Sequence, residues 1–209
     1  IGGGLNYRGA VHYRKVDPRP INNVSEIELV IGALCSLKSY FLGINFSYVN
    51  YKQAMSSSSL KDDRRDRYFS MRGFGLYDYQ LTEVSGNYSR YFLMDEWSGG
   101  LQLAHKENKN WLVHLNLTRQ KAATLEGSVR MPGIVNRLNP NMEVSYLKEF
   151  GEKKLLVSLN AQMVKSKGIE NQYDTIIVHQ NPTIVSYQRN YSAVKHLLLS
   201  YDIASSILY

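Results

Sequence analysis

From Ile27 to Gln53 the chain alternates between two kinds of residue with a period of two, and the alternation changes phase once. Ile27, Leu29, Ile31, Ala33, Cys35 and Leu37 form one set, with Glu28, Val30, Gly32, Leu34, Ser36 and Lys38 between them. After Lys38-Ser39 the phase inverts, so that Leu42, Ile44, Phe46 and Tyr48 alternate with Gly43, Asn45 and Ser47. This periodicity on both sides of a two-residue break predicts two antiparallel strands joined by a tight turn. Each is about twice the usual soluble length of roughly 5–6 residues. One face is continuously apolar and the other mixes small and polar side chains. Such a pattern suits a wall with lipid on one side and a polar interior on the other.

Composition narrows the choices. The 209 residues suffice for one large β-domain or two small ones, and 44% hydrophobic content excludes a disordered chain. No run approaches the roughly 18 apolar residues of a membrane helix. A mean hydropathy of −0.33 fits a soluble protein, yet also fits a barrel whose strands expose only alternate residues to lipid. Tyrosine dominates the aromatics, with 16 residues against 6 Phe and 2 Trp. Tyr suits strands in general, and membrane interfaces in particular. The single Cys35 excludes an internal disulfide and Cys-rich zinc arrangements. A net charge of +7 fits either nucleic acid or an anionic membrane surface. The basic residues are spread over loops and both strand faces, which argues against nucleic acid. No signal peptide is visible ahead of Ile1-Gly2-Gly3-Gly4, so either a leader has been removed or the chain is an excerpt of a longer protein.

The same alternation places eight strands at about 5-15, 27-38, 40-53, 91-106, 111-123, 142-150, 154-165 and 190-203, in a single domain or a segment of one. The expected connections run medium, tight, long, tight, medium, tight, long. Tight turns fall near residues 38, 108 and 152, and longer loops at 16–23, 54–90, 124–140 and 166–188. Val16-Asp17-Pro18-Arg19-Pro20, Pro132-Gly133 and Asn139-Pro140 read as breakers. Gly73 to Tyr79 is expected to pair locally above the main sheet, and a further hairpin is expected about Asn181-Pro182. Short turns at one end and long loops at the other are the layout of outer-membrane barrels. The expected fold is therefore all-β: an antiparallel, transmembrane-type up-and-down β-barrel, or a contiguous eight-strand segment of a larger one. The alternative is a soluble, lipocalin-like ligand-binding barrel, in which the apolar stripes would point inward.

Tyr13-Arg14-Lys15-Val16-Asp17-Pro18-Arg19-Pro20 resembles the Y-R-x-V-D-P-R-P segment of an uncharacterised family of outer-membrane β-barrel proteins from Bacteroides-like bacteria. Tyr48 to Gln53 and Gly73 to Asp78 are similar to a strand end and a glycine-aromatic loop segment of that family. The resemblance covers about residues 7 to 80. It implies the outer membrane of a Gram-negative bacterium, and a piece of a larger barrel, because members of that family are longer. It brings no activity and no catalytic residues.

The residues themselves point to no cofactor and no enzyme. His12, His105, His114, His179 and His196 lack metal-ligand spacing. Asp62, Asp63 and Asp66 are interleaved with arginines, which argues for a solvated loop rather than a metal site. A hydrolase would need a Ser–His or Asp–His pair assembled by the fold. The candidates for an inner, lumen-lining face are Arg8, His12, Arg14, Glu28, Gln102, His114, Asn116, Asn160, His196 and Asp202. In a channel they would bias the permeant charge; in a filled lumen they would pair with one another. Arg64, Arg65 and Arg67, with Lys52, Arg130 and Arg137, are candidates for lipopolysaccharide phosphates. Expected partners are outer-membrane lipid and lipopolysaccharide, with small solutes or other envelope proteins. The expected role is passage of a small solute or support of an envelope complex.

Overall fold

A computed structural model describes residues 1–13, 15, 19–58, 67–73, 76–84, 87–106, 110–126, 130–150, 153–178 and 184–208. Among them are ten strands: β1 (Gly2–Tyr13), β2 (Arg19–Leu37), β3 (Tyr40–Ser58), β4 (Arg67–Gly73), β5 (Leu76–Val84), β6 (Asn87–His105), β7 (Trp111–Glu126), β8 (Arg130–Phe150), β9 (Lys153–Val178) and β10 (Ile184–Leu208). Eight form one antiparallel sheet in the order β1-β2-β3-β6-β7-β8-β9-β10, and β4 pairs with β5 as a separate hairpin. Apart from that inserted hairpin, each strand lies beside its neighbour in sequence. This is an up-and-down meander. The sheet is open: β1 pairs with β2 and β10 with β9, and the two edges do not join. Of the expected fold, the all-β class and the eight-strand antiparallel up-and-down sheet are present.

The tight turn falls where the phase change placed it. Leu37 pairs with Tyr40, and Lys38 takes a φ of 35°, the left-handed conformation that two-residue hairpins demand. Elsewhere the strands overrun their expected bounds. Most of the expected loops at 124–140 and 166–188 are ladder, in β7, β8, β9 and β10. The prolines read as breakers are tolerated for a local reason. The β8–β9 ladder passes from Leu138↔Lys165 to Asn141↔Gln162, skipping Asn139 and Pro140, so the missing proline N–H is not called upon. Pro20 pairs with Ser57 of β3 beyond the end of the β1 ladder, where no described residue pairs with the other side of β2. The asymmetry of the two ends survives in another form. At one end consecutive strands are separated by only two to five residues, after Leu37, His105 and Phe150. At the other they continue as paired ribbons before reversing. The expected local pairing of Gly73 to Tyr79 is present, with Gly73 opposite Leu76 and Met71 opposite Tyr77. Asn181-Pro182 lies outside the described residues, between β9 and β10.

Register sorts the side chains into two faces, because directly paired residues point to the same side. One face carries Ala33, Ile44, Leu101, Leu115, Met142 and Ala161 in a single row across six strands. The rows beside it contain Ile31, Phe46 and Leu117, and Leu42, Leu103, Val113, Val144 and Leu159. The opposite face carries Asn45, Gly100, Asn116, Asn141, Gln162 and Asp202 in one row, and Gln102, His114, Glu143 and Asn160 in the next. Among the described residues no second layer packs over the apolar rows, and the small β4–β5 hairpin touches the sheet at β9. Among the described residues only Ala122 and Tyr173 are buried hydrophobics, while Leu5, Ile31, Ile44, Trp97, Leu101 and Leu117 are exposed. The chain presents 14907 Å² of accessible surface; a compact globular protein of 23.9 kDa would present about 9,900 Å².

Candidate functional site

Aromatic residues bracket the apolar rows at both ends. At the tight-turn end the Tyr40 ring meets His105 edge-on at 5.0 Å and Trp111 at 6.2 Å, and Trp111 is paired with Tyr146. At the other end Trp97 packs against Tyr48 at 4.2 Å and Phe46 at 6.2 Å. Just beyond, the same face turns polar. Asp95 accepts from the Tyr48 hydroxyl and from Asn50 Nδ2, each at 2.8 Å, and Asp95, Lys121, Asn136 and Lys167 form one row. From Tyr40 to Tyr48 is about nine residues inclusive, or roughly 27 Å along the strand.

The polar face is organised by side chain-to-side chain bonds between strands. Ser98 Oγ lies 2.9 Å from Asn116 Oδ1 and 3.1 Å from Thr118 Oγ1. Gln120 donates to Glu96 at 3.0 Å, Gln162 donates to Asn139 at 3.0 Å, and Ser158 and Ser206 are 2.6 Å apart. Near the β1 edge, Arg8 bridges to Glu26 at 2.8 Å and Asn6 donates to Glu28 at 3.0 Å. Glycines let these side chains lie flat. A Cβ on Gly100 would sit 2.4 Å from Asn45 Oδ1, and one on Gly43 would sit 3.3 Å from the Gln102 Cβ. Asn45 therefore lies over Gly100, and Gln102 over Gly43, as a reciprocal pair across β3 and β6. Beside that pair is an open concavity of about 580 Å³, lined by Gly4, Asn6, Gly32, Asn45 and Gln102 among others. This surface offers neutral hydrogen-bonding groups with scattered charge, the chemistry of water and small polar solutes.

Of the ten residues expected on the inner face, Arg8, His12, Glu28, Gln102, His114, Asn116, Asn160 and Asp202 share this polar face by register. Gln102, His114 and Asn160 meet in one row, through Glu143. Asn116 and Asp202 meet in the next, through Asn141 and Gln162. Arg8, His12 and Glu28 stand apart at the β1 edge. His114 Nε2 is shielded without a hydrogen-bond partner. Arg14 lies outside the described residues. His196 is placed by its backbone opposite Gly168, and its side chain lies outside the description. Arg64 and Arg65 lie outside the described residues, as do Asp62, Asp63 and Asp66; Arg67 opens β4. One expectation is overturned. Arg130 is 3% exposed, beside Glu126 at 1%, and so is not a surface contact. It pairs across the β7–β8 ribbon with Glu126, which in turn bonds Arg90 of β6. This buried charged knot went unseen because 124–140 read as loop. A set of cations on the apolar face (Arg119, Lys165 and Lys167) was also missed. Its signal was present: each continues the phase of an apolar stripe.

Fold and faces together define an open, all-β antiparallel meander with one polar and one apolar surface. The chain belongs to DUF6850, a family of unknown function whose model matches residues 1–206. No curated protein and no solved structure matches the chain.

Proposed function

We propose that this sheet is part of the wall of a Gram-negative outer-membrane β-barrel, with lipid on the apolar face and a wet lumen on the polar one. The observation that carries the reading is the exposed apolar band that runs across six strands, with aromatic side chains at its two ends on β3, β6, β7 and β8. A contiguous apolar surface much beyond a few hundred Å² is rare on a soluble monomer and marks a buried or membrane-facing surface. About nine residues between the aromatic rows matches the roughly 9–11 that a tilted strand needs to cross a bilayer, and the rows themselves match interfacial girdles. In hydrocarbon no backbone group may remain unpaired. The edges at β1 and β10 are then completed by pairing with further strands or with each other. The polar face lines a passage for small polar solutes, its Asn, Ser, Thr and Gln replacing part of a solute's hydration while Arg8, Glu28 and Glu143 bias charge.

The test is a gel of the full-length, detergent-solubilised protein, with and without boiling. A heat-dependent change in mobility is expected, followed by conductance steps in planar bilayers. An unchanged mobility, in a protein that stays folded in detergent-free buffer, would overturn the reading and favour a soluble barrel holding an apolar ligand. A heat shift without conductance would retain the wall and assign the polar face to a filled lumen supporting an envelope complex.

A further inference from the structure

The apolar face is not uniform. Between β6 and β10 it is hollowed into an open groove of about 530 Å³. Its depth comes from Gly99, Pro140 and Ala161, and its sides are Leu117, Met163 and Tyr201. A Cβ built on Gly99 would meet no atom within 4 Å, so neighbouring side chains leave that hollow open. The adjoining rows of the same face carry positive charge. Two residues beyond Leu117 is Arg119, and two beyond Met163 is Lys165; the register Arg119↔Leu138↔Lys165 sets them in one row. Lys167 follows one row further out, on the same face. All three are exposed, and none takes part in an ion pair among the described residues. Lys121, by contrast, stands opposite Asp95 in register. Strand spacing of about 4.8 Å and a rise of about 3.3 Å per residue put the three Cα atoms within roughly 12 Å of one another. Arginine and lysine side chains are long enough to converge on one anion over that span.

An apolar groove with three cations in the adjoining rows, none of them ion-paired among the described residues, complements a molecule that is hydrocarbon at one end and anionic at the other. Phosphate is the anion that an arginine fork and two ammonium groups favour. We infer that this surface binds a phosphate-bearing lipid, with an acyl chain along the groove and the phosphate between Arg119, Lys165 and Lys167. The inference deepens the membrane reading and rests on it. In that setting the cluster sits at the interfacial edge of the band, at the end away from the tight turns, where headgroup phosphates lie.

The experiment is native mass spectrometry of the full-length protein in detergent, titrated with phosphatidic acid, with diacylglycerol of the same chains and with inorganic phosphate. Preferential retention of phosphatidic acid over diacylglycerol is expected. Replacing the cations together (Arg119→Gln, Lys165→Gln, Lys167→Gln) should weaken retention on the order of a hundredfold, about fivefold per cation. Gly99→Trp fills open space and should reduce retention of both lipids while leaving the heat-shifted band intact. Equal retention of the two lipids, or a triple variant that binds like the parent, overturns the inference. So does inorganic phosphate that binds alone and displaces phosphatidic acid, which would mark a bare ion site. A heat-modifiable protein with no lipid preference loses this inference and keeps the wall. A soluble protein that still holds phosphatidic acid through the same cations keeps the site and loses the wall.

Discussion

The two faces of this sheet share one backbone and are held by opposite means. On the apolar face, Ile44, Leu101, Leu115 and Met142 meet by shape alone, and directional bonds begin only at its rim, where Tyr48 and Asn50 reach Asp95. On the polar face, Ser98, Asn116, Thr118, Gln120 and Glu96 are tied strand to strand by hydrogen bonds. The first face is satisfied by any apolar surroundings. The second fixes particular partners, since polar groups drawn from water need replacement bonds. Adjacent residues thus answer to different rules, and the sharpest experiments substitute neighbours.

The largest effect is expected at Leu101 and Gln102, consecutive residues on opposite faces. In the proposed wall, Leu101→Arg puts a cation near mid-bilayer and should cost about 2–4 kcal/mol, whereas Gln102→Arg on the lumen side should cost under about 0.5 kcal/mol. Urea unfolding of vesicle-inserted protein measures both; equal costs would remove the distinction between the faces. Gly99 and Gly100 repeat the test by packing. Gly100→Val displaces the amide of Asn45, the movable end of an exposed side chain, and should destabilise by under about 1 kcal/mol. Gly99→Val meets open space and should be neutral or slightly stabilising. Restoring room with Asn45→Ala should recover much of the loss at Gly100 and none at Gly99, which a double-mutant cycle reads directly. The smallest effect belongs to the β1 edge. Arg8 and Glu26 pair at 2.8 Å with 66% and 30% of their side chains exposed, so Arg8→Ala should change stability by less than about 0.5 kcal/mol. A larger change would mean that this edge is covered in the folded protein, sharpening the case for a further strand beside β1.

Alternation made much of this legible. The phases of Leu5 to Tyr13, Ile27 to Leu37, Leu42 to Tyr48 and Trp111 to Leu117 each name a face, and pairing preserves those faces from strand to strand. The segment 124–140 was misread because Pro132 and Pro140 were weighed as isolated breakers. A proline is disruptive only where a partner asks for its N–H, and the β8–β9 ladder asks for none at Pro140. The knot of Arg90, Glu126 and Arg130 was hidden for the same reason: like-looking loop charges become partners only once β7 and β8 are paired to their ends. The groove above Gly99 was hidden because its lining comes from β6, β7, β8, β9 and β10 together.

By itself the sequence determined the all-β class, the tight turn at Lys38-Ser39 and which side chains share a face. A period of two is a local property, and it survives whatever lies next to the strand. Register, the length of the paired ribbons beyond the apolar rows, the open edges at β1 and β10 and the meeting of Arg119, Lys165 and Lys167 were decided only in three dimensions. Each depends on which residue of a distant strand stands opposite, and that is set by the hydrogen-bonded ladder between strands rather than by either strand alone.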